Sequence, residues 1–263
     1  QATHLRSGKG VVLNTIKVRP GKTQELLLVR AKQSKKCLIP ELVKAVDFGI
    51  IKEDLLYYSE LDLAKKHLKE VLDEPLSPRK QIFRFIFFFK QVLKVVDYLH
   101  RANTTHRNLT TANLYIGPKE QILVDGFINP RARFEAKATS MIVDQPYVAP
   151  ELLIGNCYVD RKTDIYSLGV IFFEGLVNQL PYTSNFSKLG DFKNGEVSLL
   201  SQFKVDLPKE LQHMINRSLG ARSQRYSNLQ EWSDELDLLY SKRSLRLKIE
   251  DLSKNVKSFL SLN

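Results

Sequence analysis

The sequence is poor in cysteine: only Cys37 and Cys157 occur among 263 residues. Two cysteines cannot form a disulfide framework, so they indicate a reducing, cytoplasmic environment. Long uninterrupted apolar runs are also missing. The two longest, 82–89 and 165–177, are interrupted by charged residues and too short to cross a bilayer, so we expect buried helices there. The five histidines lack metal-ligand spacing, and no metal site is predicted.

Acidic residues are outnumbered, 29 against 40 basic residues, which leaves a net charge of +11. Residues 1–36 carry +8 and residues 241–263 carry +4, whereas the 204 residues between them carry −1. A basic groove through the fold would need charge in the middle of the chain as well. We therefore expect protein partners and no nucleic acid.

The order of predicted elements indicates an α+β protein with two lobes. The front of the chain predicts a strand over 11–18, a helix over 23–36 and strands over 42–51 and 55–60. A helix begins at Ser77-Pro78. The later elements are two short strands at 114–116 and 122–124 and helices near 162–178, 208–219 and 228–240. The predicted units are 1–60, 61–240 and a basic amphipathic C-terminal helix at 241–263.

Several motifs occur in a fixed order along the back of the chain. The segment His106-Arg107-Asn108-Leu109-Thr110-Thr111-Ala112-Asn113 is followed by Asp125-Gly126-Phe127 and by Ala149-Pro150-Glu151. This series resembles the protein kinases, with their His-Arg-Asp catalytic loop, Asp-Phe-Gly and Ala-Pro-Glu motifs. The resemblance implies a bilobal kinase-like fold with a β-rich N-lobe and a helical C-lobe. The chain lacks the family's first strand and Gly-rich loop.

Three positions depart from the family's catalytic residues. When Ile39-Pro40 sets the register, Asn14 stands where kinases carry the phosphate-binding lysine and Arg30 where they carry its glutamate partner. Asn108 replaces the aspartate that accepts the substrate proton, and an amide cannot act as a base near neutral pH. An alternative register places Lys17 at the lysine position instead. The resemblance is therefore to a degenerate kinase, or pseudokinase.

Two residues, Asn113 and Asp125, are of the types that bind metal in the family. We predict no functional metal site, and the alternative is a residual metal or nucleotide site at these two residues. Arg30 lies on the helix that should face Asp125. One hypothesis pairs Arg30 directly with Asp125 in the space of the metal and phosphates. The competing hypothesis lets Arg30 extend into solvent.

The resemblance assigns structural roles to a further set of residues: His106, Arg107, Glu151, Asp164 and Arg225. Glu151 is expected to pair with Arg225, and Asp164 lies in the family's buried helix. Possible phosphorylation sites between the second and third motifs are Thr139, Ser140 and Tyr147, although solvated hydroxyl groups are the simpler interpretation.

Apolar residues recur in the C-terminal tail at spacings of 4, 3, 4 and 3, namely Leu245, Ile249, Leu252, Val256 and Phe259. This pattern favours a terminal helix docked on the domain. A partner-binding helix or a helix on a membrane surface are the less favoured alternatives.

These observations predict that the chain is not an enzyme. We expect a regulatory, scaffolding or protein-interaction module without a required cofactor, whose partner is an active kinase or another domain of a longer parent chain. The alternative is a weakly active or atypical ATP-binding Ser/Thr protein kinase, with ATP bound weakly, with or without Mg²⁺.

Overall fold

The computed structural model describes residues 2–3, 10–51, 55–61, 66–72, 74, 78–128, 146–153, 159–181 and 207–241. Among these residues, none of the helices combines the length and the apolar character that crossing a bilayer requires. The predicted C-terminal helix at 241–263 lies outside the described residues, apart from Ser241.

The N-terminal part is a four-stranded antiparallel sheet in the order β1-β2-β4-β3. Its strands are β1 (Ala2–Thr3), β2 (Gly10–Lys17), β3 (Ala45–Ile51) and β4 (Leu55–Leu61). Exposed and more buried residues alternate along most of β2, as expected of a strand with one covered face. Helix α1 (Lys22–Lys36) packs against β3 and buries Leu27, Arg30 and Ala31.

The C-terminal part is mostly helical and contains the large apolar core. Its elements are β5 (Lys66–His67), α2 (Leu68–Leu72), α3 (Pro78–Arg101), a 3₁₀ turn (Thr111–Asn113), β6 (Leu114–Ile116), β7 (Ile122–Val124), α4 (Pro150–Leu153), α5 (Arg161–Val177), α6 (Lys209–Leu219) and α7 (Leu229–Ser241). Helix α5 is apolar on nearly every side and lies at the centre, packed against α3 and α6. A group of aromatic rings joins α3, α5 and α7 through Phe89, Phe172 and Trp232.

Within the described residues, the elements predicted from sequence are confirmed with boundaries shifted by three residues at most. Strands β6 and β7 occupy the predicted residues, and α5, α6 and α7 each begin one residue from the predicted start. The short elements β5 and α2, over 66–72, had no counterpart in the sequence prediction. Asp160 caps α5 by accepting a hydrogen bond from the backbone of Lys162, and Asn178 ends it with a left-handed backbone.

Candidate active site

The hairpin of β6 and β7 brings Asn113 and Asp125 together. Leu114 pairs with Val124, and the ladder continues with a 2.9 Å hydrogen bond from the backbone N–H of Asp125 to the carbonyl of Asn113. The amide Nδ2 of Asn113 donates to the carbonyl of Asn108 at 2.7 Å, which leaves Oδ1 as the coordinating atom of this side chain. The two residues thus present an amide oxygen and a carboxylate at one end of the hairpin.

Asp164, at the start of α5, anchors the loop that precedes this hairpin. Its carboxylate accepts hydrogen bonds from the backbone of His106 at 2.7 Å and of Arg107 at 2.9 Å, and it also contacts the ring Nε2 of His100 at 2.9 Å. Burial alone would raise the pKa of Asp164, but the bond to His100 and the neighbouring groups hold it below its ordinary value. Arg107 adopts a left-handed backbone with φ of 70°, which this carboxylate stabilises.

His106 is completely buried beneath the same loop. Its Nδ1 accepts a 3.3 Å hydrogen bond from the backbone of Asn108, and its ring meets the ring of Phe127 edge-on at 6.0 Å. Burial lowers the pKa of His106 to about 4, and the nearby positive charge of Arg30 acts in the same direction. His106 is therefore neutral near pH 7 and acts as a packing residue.

Arg30 reaches from α1 into the loops of the C-terminal part. Its guanidinium donates to three backbone carbonyls: Nε to Phe127 at 2.5 Å, Nη1 to Thr105 at 3.1 Å and Nη2 to His106 at 2.5 Å. The guanidinium also lies over the ring of Phe127, 4.1 Å from its centre. Every nitrogen of the guanidinium is thus engaged by main-chain oxygen.

These contacts contradict both hypotheses about Arg30. The side chain does not pair with the carboxylate of Asp125, because its donors are directed to the three carbonyls, and it does not extend into solvent, because only 2% of it is exposed. Burial and the positive charge of Arg107 lower the pKa of Arg30 to about 9, while Asp164 opposes this shift. Arg30 therefore still carries its charge at pH 7.

Asn108 and Asn113 enclose Gly126. The amide Nδ2 of Asn108 donates to the carbonyl of Gly126 at 3.3 Å, and the backbone N–H of Gly126 donates to Oδ1 of Asp125 at 2.6 Å. Gly126 has φ of 81°, a left-handed conformation that glycine adopts without strain. The swapped order Asp-Gly-Phe therefore has a local cause, since the residue after Asp125 must be small and left-handed.

Asn14 and Lys17 lie on opposite faces of β2. Asn14, opposite Tyr58 in the sheet, is half-buried, whereas Lys17, opposite Leu55, is exposed. Strand alternation thus directs Asn14 to the covered side and Lys17 to solvent. Arg30 is engaged with the loops and does not pair with Asn14. The register that assigns Asn14 to the lysine position stays a prediction.

Glu151 and Arg225 form a two-pronged ion pair, with nitrogen–oxygen distances of 2.6 and 2.9 Å. Arg225 also donates to the carbonyls of Gly220 and Lys162, so its buried charge is fully surrounded by acceptors. The pair joins α4 to the loop that follows α6. This arrangement agrees with the structural role predicted for both residues.

Tyr147 is held by residues that the sequence did not single out. Its hydroxyl donates to Oε2 of Glu174 at 2.5 Å and lies 2.8 Å from Oγ1 of Thr111. Burial and the charge of Glu174 raise the pKa of Tyr147 well above its ordinary value. A phosphate on Tyr147 would be repelled by Glu174, so the geometry does not favour modification there. The other proposed phosphorylation sites, Thr139 and Ser140, lie outside the described residues.

The comparison with known proteins decides the family, because the protein kinase domain pattern matches residues 1–260. The chain belongs to the protein kinase family. The solved kinase domain of Mycobacterium tuberculosis PknI has the same bilobal fold, with a TM-score of 0.65 at 17% sequence identity, over 87% of this chain and 85% of that one. The predicted fold class is thereby confirmed.

Two curated relatives carry kinase names. The serine/threonine-protein kinase pakA of Dictyostelium discoideum is 28% identical over 66% of this chain and 16% of its own length. A protein of Enterocytozoon bieneusi, named "Probable serine/threonine-protein kinase KIN1 homolog", is 23% identical over 97% of this chain and 44% of its own length. The chain therefore spans less than half of the length of these relatives.

These names correct the prediction that the kinase domain is not an enzyme. The relatives are named as serine/threonine-protein kinases, and no relative or structural neighbour described above indicates inactivity. The prediction weighed Asn14, Arg30 and Asn108 by residue type alone.

Membership in this family implies ATP and Mg²⁺, and the residues at the hairpin fit them. Mg²⁺ takes oxygen ligands, usually one or two from the protein besides water and substrate phosphates. Asp125 and Asn113 are backbone neighbours in the hairpin and carry a carboxylate and an amide oxygen, the two ligand types that kinases use. Among the described residues, no cluster of three or more His, Cys, Asp or Glu side chains offers a different metal site.

Proposed function

We propose that this kinase domain is an atypical ATP-dependent serine/threonine protein kinase with a low turnover rate. The observation that supports it is the hydrogen-bonded register that holds Asn113 beside Asp125. The second support is Asp164, which fixes the backbone of the loop at His106 and Arg107, before the hairpin. Such a fixed backbone is expected of a loop that must position a substrate.

Two side chains would hold the metal and the phosphates. Mg²⁺ neutralises charge on the β- and γ-phosphates of ATP when it is bound. Asp125 would bind it through its carboxylate and Asn113 through Oδ1. The hydrogen bond from Nδ2 of Asn113 to the carbonyl of Asn108 keeps that oxygen directed away from the loop backbone. The cation site is therefore preorganised by the loop itself.

Asn108 would orient the substrate hydroxyl but cannot remove its proton. In the transfer, the hydroxyl oxygen of the protein substrate forms a bond to the γ-phosphorus, and the bond from that phosphorus to the leaving oxygen of ADP breaks. The hydroxyl proton passes to solvent. Because the transition state of phosphoryl transfer is loose, little proton removal is needed before it. Loss of a general base typically costs about 10²–10⁴-fold in rate, so the reaction is expected to be slow.

The substrate and the partners of this kinase domain are inferred at the level of class. We infer a protein substrate that offers a serine or threonine hydroxyl. Regulation by other domains of a parent chain, or by an active kinase, fits the small share of its relatives' length that this chain spans. The exposed basic residues of α1, namely Lys22, Lys32, Lys35 and Lys36, favour acidic segments of such a partner.

A phosphotransfer assay tests the proposal. The purified chain is incubated with radiolabelled ATP, Mg²⁺ or Mn²⁺, and a generic basic protein substrate, beside Asp125→Asn. The matched control Asp234→Asn removes a carboxylate from the exposed face of α7. We expect slow turnover that falls more than tenfold in Asp125→Asn and is unchanged in the control. Turnover equal in the chain and in Asp125→Asn, or no turnover with either metal, would overturn the proposal.

A further inference from the structure

A groove runs along the side of the kinase domain away from the active site, between α3 and α7. It has a volume of about 560 Å³. One face of α3 forms its floor, with residues spaced as in a helical stripe: Phe87, Lys90, Gln91, Lys94, Tyr98 and Arg101. Leu229 and Ser233 of α7 line the other wall, and Ile39 closes one end. Phe87 is 52% exposed and is one of the apolar residues of a lining that also holds polar and charged side chains.

The charged side chains along the groove are already compensated. Each basic residue of α3 that lines the groove has a carboxylate neighbour in the folded domain; the pairs are Lys90 with Asp237, Lys94 with Glu41 and Arg101 with Asp97. The groove therefore carries no net charge that would call for a charged ligand. An amphipathic helix with its apolar face inward would fit this surface best.

We propose that residues 245–259 of this same chain occupy the groove as a helix. Helix α7 ends at Ser241, and Asp237 in its last turns contacts Lys90 near the Phe87 end of the groove. The chain thus leaves α7 beside the groove entrance. Residues 242–244 provide a three-residue connection, a length common between antiparallel helices. Ser244 is a favourable residue to cap the new helix.

The dimensions of the segment and of the groove agree. The apolar seam from Leu245 to Phe259 spans fourteen residue steps, and the floor from Phe87 to Arg101 spans fourteen as well. Each corresponds to about 21 Å of helix. Antiparallel to α7, the seam would place Leu245 near Phe87 and Phe259 near the Ile39 end.

Docking would also bury the side chain of Leu38. Leu38 is 84% exposed beside Ile39, and its backbone N–H lies 3.4 Å from the hydroxyl of Tyr98 in the groove. Phe259 would arrive at this end of the groove. Because Leu38 directly follows the last turn of α1, the segment would connect the end of the chain to the helix that carries Arg30. This inference is independent of the proposed activity.

Hydrogen exchange on the full chain tests the proposal. We expect the amides of 245–259 to exchange at least tenfold more slowly than an unstructured peptide. Leu252→Asp, on the seam, and Phe87→Asp, in the groove, should each abolish that protection. The matched controls are Lys254→Asp, on the opposite face of the segment, and Leu13→Asp, at a leucine of β2 that is 51% exposed. Both controls should retain it.

Three results would overturn the proposal: no protection in the unmodified chain, protection that Phe87→Asp leaves intact, or protection that appears only in a dimer or with anionic vesicles. Light scattering over a hundredfold range of concentration detects the dimer. A loss of protection in Phe87→Asp counts only if its thermal melting stays cooperative. If that variant fails to fold, Leu252→Asp decides the question, since it changes the segment itself and leaves the groove residues unaltered.

Discussion

Arg30 holds Phe127 by both its backbone and its side chain. The Nε atom donates to the Phe127 carbonyl at 2.5 Å while the guanidinium plane lies 4.1 Å above the ring of the same residue. The aromatic contact and the hydrogen bond reinforce each other, because both fix the position of the guanidinium. In the predicted register, Arg30 stands where kinases carry a glutamate that binds a lysine of the sheet. Here it binds the C-terminal loops instead.

Replacing Arg30 should destabilise the domain strongly. Arg30→Met removes a buried charge but leaves the carbonyls of Thr105, His106 and Phe127 without their donors. We expect a loss of about 2–5 kcal/mol in the free energy of unfolding. Lys32→Met, on the exposed face of α1, should change it by less than about 0.5 kcal/mol. Urea denaturation of both variants measures the difference, and equal stabilities would contradict the role given to Arg30.

The neutral, buried state of His106 should make stability depend on pH. Its pKa is about 4 in the folded protein, below the ordinary 6.5, so the unfolded chain binds the proton first. The contribution of neutral His106 to the free energy of unfolding is complete above pH 6.5 and is lost as the pH falls from 6.5 towards 4. The free energy of unfolding should then drop by about 1 kcal/mol per pH unit. His106→Gln should show a shallower slope over this range, and identical slopes would contradict the assignment.

Asn108→Asp should make the kinase faster and less stable. The new carboxylate can accept the substrate proton, and we expect turnover to rise on the order of 10²-fold. The same change replaces the donor to the Gly126 carbonyl by an acceptor, which should cost about 1 kcal/mol. Asn103→Asp, at an exposed turn, adds the same charge as a control. Steady-state kinetics and urea denaturation measure the two effects. If Asn108→Asp changed neither turnover nor stability, the roles given to Asn108 would be contradicted.

The pair of Glu151 and Arg225 should show strong coupling. Removing one partner leaves the other charge buried, so Glu151→Gln and Arg225→Met should each cost about 3–5 kcal/mol. The double variant should cost clearly less than the sum of the two. Urea denaturation of all four proteins completes the cycle. Arg217 with Glu231, a more exposed pair, provides the comparison, with an expected coupling below about 1 kcal/mol.

Local signals explain why most of the fold could be predicted. The strands β6 and β7 surround the turn signal Gly117-Pro118, and α3 begins at a proline that follows a serine. The motifs of the kinase family then identified Asp164 and the pair of Glu151 with Arg225. Each of these side chains has a partner set by the family's fold. The types of these residues and their order along the chain were therefore sufficient to single them out.

The partners of Arg30 could not be predicted in this way. Its acceptors are main-chain carbonyls of residues 75 to 97 positions away. Every residue has a main-chain carbonyl, so residue type does not reveal which of them accept hydrogen bonds. The sequence showed only that a charge had changed sign, so a carboxylate seemed the natural partner. The contact of Tyr147 with Glu174 and Thr111 was missed for a related reason, since none of the three belongs to a spacing rule.

Gly126 limits which residue can follow Asp125 in this loop. A Cβ atom added there would lie 2.7 Å from Nδ2 of Asn113 and 2.8 Å from Nδ2 of Asn108, on a left-handed backbone. The family's Asp-Phe-Gly order would place phenylalanine at this position. As a first step that change is opposed by both amides, at a backbone cost of about 1–3 kcal/mol before any clash. Gly126→Phe is therefore expected to require that the side chains of Asn108 and Asn113 move away from this position.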